Sequence, residues 1–196
     1  MTKDHPMTTI PLEPMARRSV LRRMLRVMRL DRSVYADVAR DPTGPRQAGR
    51  VVSIVAAAVA VGAALGGGWQ AGAILGAVLA ALIHWLVWGG LMYLVARFVF
   101  HGSTSWRTLL ERLGYAQAPQ VLGILSFVPV VGPVVVLASR LLTAVAGHQA
   151  THHILGLRRW QELTTQLVTF AIAFLLAAFV QVSVGGVDLF DGLARP

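Results

Sequence analysis

The stretch VVSIVAAAVAVGAALGGGWQAGAILGAVLAALIHWLVWGGLMYLVA, residues 51–96, contains no Lys, Arg, Asp or Glu. A helix that spans a membrane needs about 20 apolar residues, and these 46 residues are more than twice that length. Three consecutive glycines, residues 66–68, interrupt the run. The stretch therefore predicts two spanning helices joined by a tight turn, and hence an integral membrane protein.

Two further stretches, residues 113–139 and 163–187, are also free of charged side chains. Prolines 129 and 133, with a glycine at 132, stop one helix and start the next within the first of them. The chain is therefore predicted to be an all-α, polytopic membrane bundle of five transmembrane helices with an amino-terminal amphipathic helix. The predicted spans are 51–67, 69–97, 113–129, 132–153 and 163–185.

The composition agrees with a membrane protein, because 55% of the residues are hydrophobic, 14% are charged and the mean hydropathy is +0.61. Cysteine is absent, which excludes disulfides, thiolate metal sites and a cysteine nucleophile. No acid or serine–base pair is expected inside the membrane, so the chain is predicted not to be an enzyme. The net charge of +9 lies beside the spans, which favours lipid headgroups over nucleic acid as its partner.

The placement of the basic residues predicts the orientation. Eleven of the eighteen precede residue 51, three lie between the second and third spans, and two lie between the fourth and fifth. Five spans bring these sixteen to one side, which the positive-inside rule assigns to the cytoplasm. The amino terminus is therefore predicted to be inside and the carboxyl terminus outside a bacterial cytoplasmic (inner) membrane.

The amino-terminal arm carries six arginines and no acid between residues 15 and 30. Its apolar residues follow helical spacing, which predicts a basic amphipathic helix lying on an anionic inner leaflet. The predicted domains are a disordered tail (1–14), this arm (15–50), the five-helix domain (51–187) and an extracytoplasmic tail (188–196). The arginines predicted to bind lipid headgroups are Arg18, Arg22, Arg26 and Arg29.

Small residues recur every four positions along the second span and form one smooth ridge. Backbones approach closely where side chains are small, which is a main mode of helix association in lipid. We therefore predict that the first two spans pack as a tight antiparallel hairpin. The ridge comprises Gly68, Gly72, Gly76 and Ala80, and Gly62 and Gly66 repeat the spacing in the first span.

His84 continues this ridge near the middle of the second span. An ionisable residue at membrane depth is a functional candidate by default. The favoured interpretation is a neutral imidazole that is hydrogen-bonded across the hairpin. The alternative is a ligand for a chlorophyll-type macrocycle flanked by Trp85 and Trp88. No cofactor is predicted.

Arg140 lies well inside the apolar zone of the fourth span, and no acid of this chain is expected at that depth. Its partner is predicted to be a backbone carbonyl, a lipid phosphate, water or an acid on another subunit. We expect Arg140 to contact a partner protein or a second copy of the chain.

Three histidines, His148, His152 and His153, cluster at the end of the fourth span. The first two are one turn apart, a spacing that can hold zinc. No carboxylate or third ligand is fixed nearby in the sequence, so interfacial histidines are favoured and no metal is predicted.

Several local motifs resemble the Yip domain family, the Ypt/Rab-GTPase-interacting membrane proteins and their bacterial relatives. The sequence LGYAQAP, residues 113–119, resembles the "GYA..P" signature of that family, and PVVG, residues 129–132, follows at the expected distance. Independently of the resemblance, Gly114, Tyr115 and Pro119 are predicted to shape the point at which the third helix enters the membrane. The tyrosine is predicted to lie at headgroup level. The other resembling segments are YADVARDP (35–42), FHGS (100–103) and residues 156–162.

The resemblance implies five spans and a cytoplasmic amino terminus, with no catalytic residue and no cofactor. Eukaryotic members act in vesicle traffic through small GTPases and as hetero-oligomers. The arginine-rich, cysteine-free composition indicates a bacterial member, predicted to be an interaction or accessory subunit for another membrane protein, a homo-oligomer or lipid. Two alternatives remain: a small transporter or channel component that uses Arg140 and His84, and an accessory subunit of a bioenergetic or pigment-containing complex.

Overall fold

The computed structural model describes residues 12–67, 69–152 and 154–185, with side chains from residue 20 onward. These residues form α-helices and one long 3-10 helix. The elements are α1 (Leu12–Met28), α2 (Ser33–Ala39), α3 (Gly44–Gly66), α4 (Ala71–Leu94, continued by a π-helical turn Val95–Val99), α5 (Trp106–Ala116), the 3-10 segment (Ala118–Phe127), α6 (Val131–Thr151) and α7 (Arg159–Gly185).

Four helices in the described part of the chain, α3, α4, α6 and α7, are long and apolar enough to cross a membrane. The prediction of a multi-pass integral membrane protein is therefore confirmed. The predicted third span, residues 113–129, is not one continuous helix. It is divided between the end of α5 and the ten-residue 3-10 segment, which is apolar but short.

The 3-10 segment runs beside α3 and in the same direction. A Cβ on Gly123, near the middle of the segment, would lie 2.7 Å from Val59 Cγ1 of α3, and one on Gly66, at the end of α3, would lie 3.6 Å from Phe127, at the end of the segment. A 3-10 helix rises about 2.0 Å per residue against 1.5 Å in an α-helix. The ten residues of the segment therefore advance about 20 Å.

Two ends of the bundle differ in charge. At one end, which we call the charged end, α3 begins and the connections 95–112 and 152–158 carry arginines. At the other end, which we call the uncharged end, the connections 67–70 and 128–130 carry no charged residue. Gly132 closes the second of these turns, since its N–H donates to the Val128 carbonyl at 2.7 Å and a Cβ there would collide with the Ser126 carbonyl. Pro129, whose carbonyl accepts from Val131 N–H, lies in the same turn.

The glycine ridge packs, but against a different partner from the one predicted. A Cβ on Gly72 would lie 2.9 Å from the Val184 carbonyl of α7, and one on Gly76 would lie 3.0 Å from Gly185 N. Gly62 instead faces the 3-10 segment. The predicted packing of α3 against α4 is confirmed, but the prediction that these glycines join the two helices is wrong, because a smooth stripe permits close approach without specifying which helix approaches. Gly68 lies outside the described residues.

The amino-terminal helix α1 is docked on the charged end of the bundle. Val20, Met24 and Val27 are buried, whereas Leu21 and Leu25 are more than half exposed. The buried face joins the same core cluster as Val34, Tyr35, Val38, Ala48, Tyr115 and Ala118. Contact of the exposed face with lipid stays a prediction. The first 11 residues of the predicted tail and the predicted tail 188–196 lie outside the described residues.

Candidate functional site

Four polar side chains form a line that we call the polar chain: His84, Gln117 and Gln120, which are buried, and Arg140, which is half-buried. Nη1 of Arg140 donates to Oε1 of Gln120 at 2.6 Å, and Nε2 of Gln120 donates to Oε1 of Gln117. Nε2 of Gln117 lies 3.1 Å from Nδ1 of His84. All donors point toward His84, which accepts at Nδ1 as a neutral imidazole. The charge of Arg140 thus polarises each bond in the line.

The 3-10 geometry sets up this line. Three residues per turn bring positions i and i+3 onto one face, and Gln117, Gln120, Gly123 and Ser126 have that spacing. The two glutamines bond to His84 or to each other, and the next two residues lie against α3. Neither glutamine was predicted from the sequence, because the α-helical period does not bring residues 117 and 120 into one line with residues 123 and 126. The three-residue recurrence of polar and small residues is the signal that finds them.

His84 is fully buried and packed among aromatic rings. Its centroid lies 5.5 Å from that of Trp88 and 5.2 Å from that of Phe170. The hydrogen-bonded imidazole favoured from the sequence is confirmed, but its partners are amides rather than a group across the α3–α4 hairpin. Two cavities, one beside Arg140 and one beside His152, are not lined by His84, and the macrocycle interpretation stays a prediction.

Arg140 points from α6 toward α7 and the 3-10 segment. Its guanidinium carbon lies 5.4 Å from the ring centroid of Phe174, a cation–π contact, and Gln120 accepts one of its hydrogen bonds. Within the described residues no carboxylate lies at ion-pair distance from it. The side chain therefore has partners inside its own chain, and contact with a second protein stays a prediction.

A cavity of about 650 Å³ adjoins Arg140 and Gln120. Residues of α3, α4, the 3-10 segment, α6 and α7 line it. Its walls are mostly glycine and alanine, and it extends to Gly66 and Phe127 at the uncharged end. The interior thus combines apolar walls with a few polar groups, the usual make-up of a ligand pocket.

A second polar cluster, which we call the inner clasp, joins α1 to the charged end of the bundle. It consists of Arg23, Asp41, Gln47 and Tyr115. Nη1 of Arg23 lies 2.7 Å from Oδ2 of Asp41 and donates to Oε1 of Gln47 at 2.6 Å. The Tyr115 hydroxyl donates to the same Gln47 oxygen at 2.9 Å. The clasp ties α1 to α3 and α5.

Tyr115 is fully buried in the clasp, where its hydroxyl contacts protein, and its depth at headgroup level stays a prediction. The neighbouring Gly114 does permit a close approach, of α5 to Ala48 of α3. Pro119 is buried in the first turn of the 3-10 segment, where a missing N–H is tolerated. These three residues allow α5 and the 3-10 segment to pack closely against the rest of the bundle. In the described structure, the residues of the signature therefore contact other parts of the same protein.

Asp41 makes the clasp sensitive to pH. The Thr43 hydroxyl and N–H donate to its carboxylate and Arg23 pairs with it, which together lower the pKa of Asp41 from 3.8 to about 2. A carboxyl whose pKa is lowered by folding stabilises the fold above its unfolded pKa, and that contribution is lost as the pH falls through the folded value.

We expect Asp41→Asn to lower stability at pH 7 by about 1–2 kcal/mol, because Arg23 loses its ionic partner. The difference from wild type should shrink between about pH 4 and pH 2, where the native carboxyl also becomes neutral. Thermal unfolding in detergent across this range measures both. Asp37→Asn, at an exposed ion pair with Arg26, is the control and should cost under about 0.5 kcal/mol. A pH-independent effect of Asp41→Asn would contradict the assignment.

The four arginines predicted to bind headgroups differ in their surroundings. Arg22 and Arg29 are exposed. Arg26 pairs with Asp31 at 2.8 Å and with Asp37 at 2.7 Å. The structure does not describe the side chain of Arg18. Headgroup binding stays a prediction, with two of these guanidinium groups exposed for it.

One of the histidines at the end of α6, His152, contacts a carboxylate that lies far enough along the chain not to be predicted from the sequence. Nδ1 of His152 lies 3.0 Å from Oε2 of Glu162, which is buried on α7, and the rings of His148 and His152 are 5.6 Å apart. Among the described residues no three His, Asp or Glu side chains are placed to hold a metal ion. His153 lies outside the described residues. The hydrogen bond between His152 and Glu162 joins the two helices across their connection.

Comparison with known proteins identifies one family. The family model of the Yip1 domain matches residues 26–185 of the chain. The matched region contains the described structure from residue 26 onward. It includes the whole polar chain and, of the inner clasp, Asp41, Gln47 and Tyr115 but not Arg23. No curated protein and no solved structure matches the chain.

Proposed function

The chain belongs to the Yip1 domain family, and we propose that it is a non-catalytic protein of a bacterial cytoplasmic membrane that acts by associating with another membrane protein or with lipid. The observation that carries this proposal is the make-up of the polar chain. Its groups are two amides, an imidazole and a guanidinium, which bind and position but do not form a nucleophile–base pair. Such groups beside an apolar cavity suit recognition.

We further propose five crossings, with the end of α5 and the 3-10 segment making the third. This segment runs parallel to α3 from near Ala48 to Gly66, and α6 returns toward the charged end, where Arg112 donates to the Ala150 carbonyl. The stretched 3-10 rise lets few residues cover much of an apolar layer about 30 Å thick. The arginines of the charged end then lie in the cytoplasm.

Reporter fusions test this topology. We expect fusions in the connection 152–158 to report the cytoplasmic face, and fusions at residues 129 and 196 to report the opposite face. A fusion at residue 196 that reports the same face as one in the connection 152–158 would contradict five crossings. A fusion within α1 provides the cytoplasmic control.

Native mass spectrometry of the full chain, extracted in a mild detergent, tests the association. We expect the chain to carry a second polypeptide, a second copy of itself or a bound lipid in a defined ratio. A bare monomer under conditions that preserve other membrane assemblies would count against the proposal.

One observation favours a second candidate, a small transporter or channel component. The cavity reaches Arg140 from the uncharged end, and the polar chain extends from there to His84. The rings of Trp88 and Phe170, whose centroids are 5.1 Å apart, lie next along α4 and α7 toward the charged end. Vesicles containing the protein that show no anion flux above protein-free vesicles would remove this candidate.

A further inference from the structure

We propose that the cavity beside Arg140 binds a lipid through its oxyanion headgroup, with the guanidinium as the ionic partner and the acyl chain along the alanine and glycine walls. The inference deepens the proposed function by naming a ligand class. The two proposals can be disproved separately. If the cavity binds no lipid, the protein can still associate with a protein partner.

The unmet hydrogen-bonding capacity of Arg140 is the first support. A guanidinium has five N–H donors, and the described structure gives this one a single acceptor, Gln120, beside the face of Phe174. Burying a cation without a counter-charge is costly, whereas a phosphate or carboxylate can accept two parallel hydrogen bonds from it. The cavity lies on the open side of this guanidinium.

The walls of the cavity indicate an amphiphile rather than a free ion. Ala73, Ala77 and Ala80 of α4 and Ala177 and Ala178 of α7 line it. Such walls offer no hydration to a free ion, but they pack well against methylene groups, at about 0.8 kcal/mol for each CH₂ buried. Its 650 Å³ exceeds the needs of one phosphate group and lies within the range of small-molecule pockets.

The arrangement of α6 and α7 provides an entry for the acyl chain. Near the charged end the two helices are joined, because Nε2 of Gln166 donates to the Ala144 carbonyl at 3.1 Å and His152 pairs with Glu162. Few other contacts join the two helices, and both of them line the cavity, α6 through Val136 and α7 through Gln181. A chain can enter there from the lipid phase while its headgroup reaches Arg140.

The test measures thermal unfolding and native mass spectra of the full chain in a nonionic detergent with three probes. These are dioleoyl phosphatidic acid, dioleoylglycerol, which has the same chains without the phosphate, and inorganic phosphate at equal concentration. We expect phosphatidic acid alone to raise the unfolding temperature and to appear as a bound mass. Equal stabilisation by dioleoylglycerol would overturn the role of the oxyanion, and equal stabilisation by inorganic phosphate would overturn the role of the lipid.

Three variants locate the effect. Arg140→Gln keeps an amide for Gln120 but removes the charge, and should weaken phosphatidic acid binding by about tenfold or more. Ala77→Phe keeps Arg140 and fills part of the cavity, and should reduce binding similarly even if the first variant folds poorly. Arg107→Gln removes one exposed charge from α5, outside the arginines predicted to bind headgroups, and should bind as wild type does. Undiminished binding by folded Ala77→Phe, or an equal loss in Arg107→Gln, would place the lipid elsewhere and overturn the proposal.

Discussion

Replacing Gly62 with alanine is expected to lower the free energy of unfolding by about 3 kcal/mol. The added Cβ would collide with the Gly123 carbonyl and would lie 2.6 Å from Ser126 Oγ and 3.2 Å from Ile124 Cα. Two of these three neighbours are backbone atoms, so a change of rotamer cannot relieve the contact. Because the glycine lies where α3 meets the 3-10 segment, the two elements must separate to admit one methyl group. Thermal unfolding in detergent measures the loss.

Gly49→Ala is the matched control, since Gly49 lies in the same helix and a Cβ there would meet nothing within 4 Å. It should leave stability unchanged or raise it by up to about 1 kcal/mol through helix propensity. Equal unfolding temperatures for the two variants would show that the 3-10 segment does not press against α3.

Replacing Gln120 with leucine is expected to cost about 3 kcal/mol, because the change leaves both neighbours in the polar chain unmatched. Arg140 loses the acceptor that lies 2.6 Å away, and Gln117 loses a donor to its Oε1. Removing one member of such a hydrogen-bonded network leaves the remaining charge without a partner. The free-energy cost of that unpaired charge exceeds the net stabilisation that the hydrogen bond itself contributes. Chemical or thermal unfolding in detergent gives the change.

A double-mutant cycle distinguishes this cause from lost packing. Gln120→Leu combined with Arg140→Leu removes the stranded charge together with its acceptor, so the double variant should be more stable than the sum of the two single losses predicts. Gln70→Leu, at an exposed position before α4, should change stability by less than about 0.5 kcal/mol. Strict additivity of the two buried substitutions would show that Arg140 does not depend on Gln120.

The sequence predicts features that depend on composition along the chain. The absence of charge from residues 51–96 indicates segments in lipid, where only a helix or a closed barrel pairs every backbone group. The length of this uncharged stretch suits two spanning helices. The motif around residues 113–119 indicates the Yip family, and the family match confirms it. His84 and Arg140 are also visible in the sequence, since each interrupts an apolar run.

Tertiary structure alone decided which of these features meet. Nothing in the spacing of Gly72 and Gly76 indicates that they face α7 rather than α3, because a small-residue stripe accepts any smooth neighbour. His84 and Arg140 join only because residues 118–127 adopt a 3-10 helix, which aligns Gln117 and Gln120 between them. Local propensity and apolar periodicity act over a few residues, whereas these contacts link side chains 20 or more positions apart, and their energies arise only once the helices have packed.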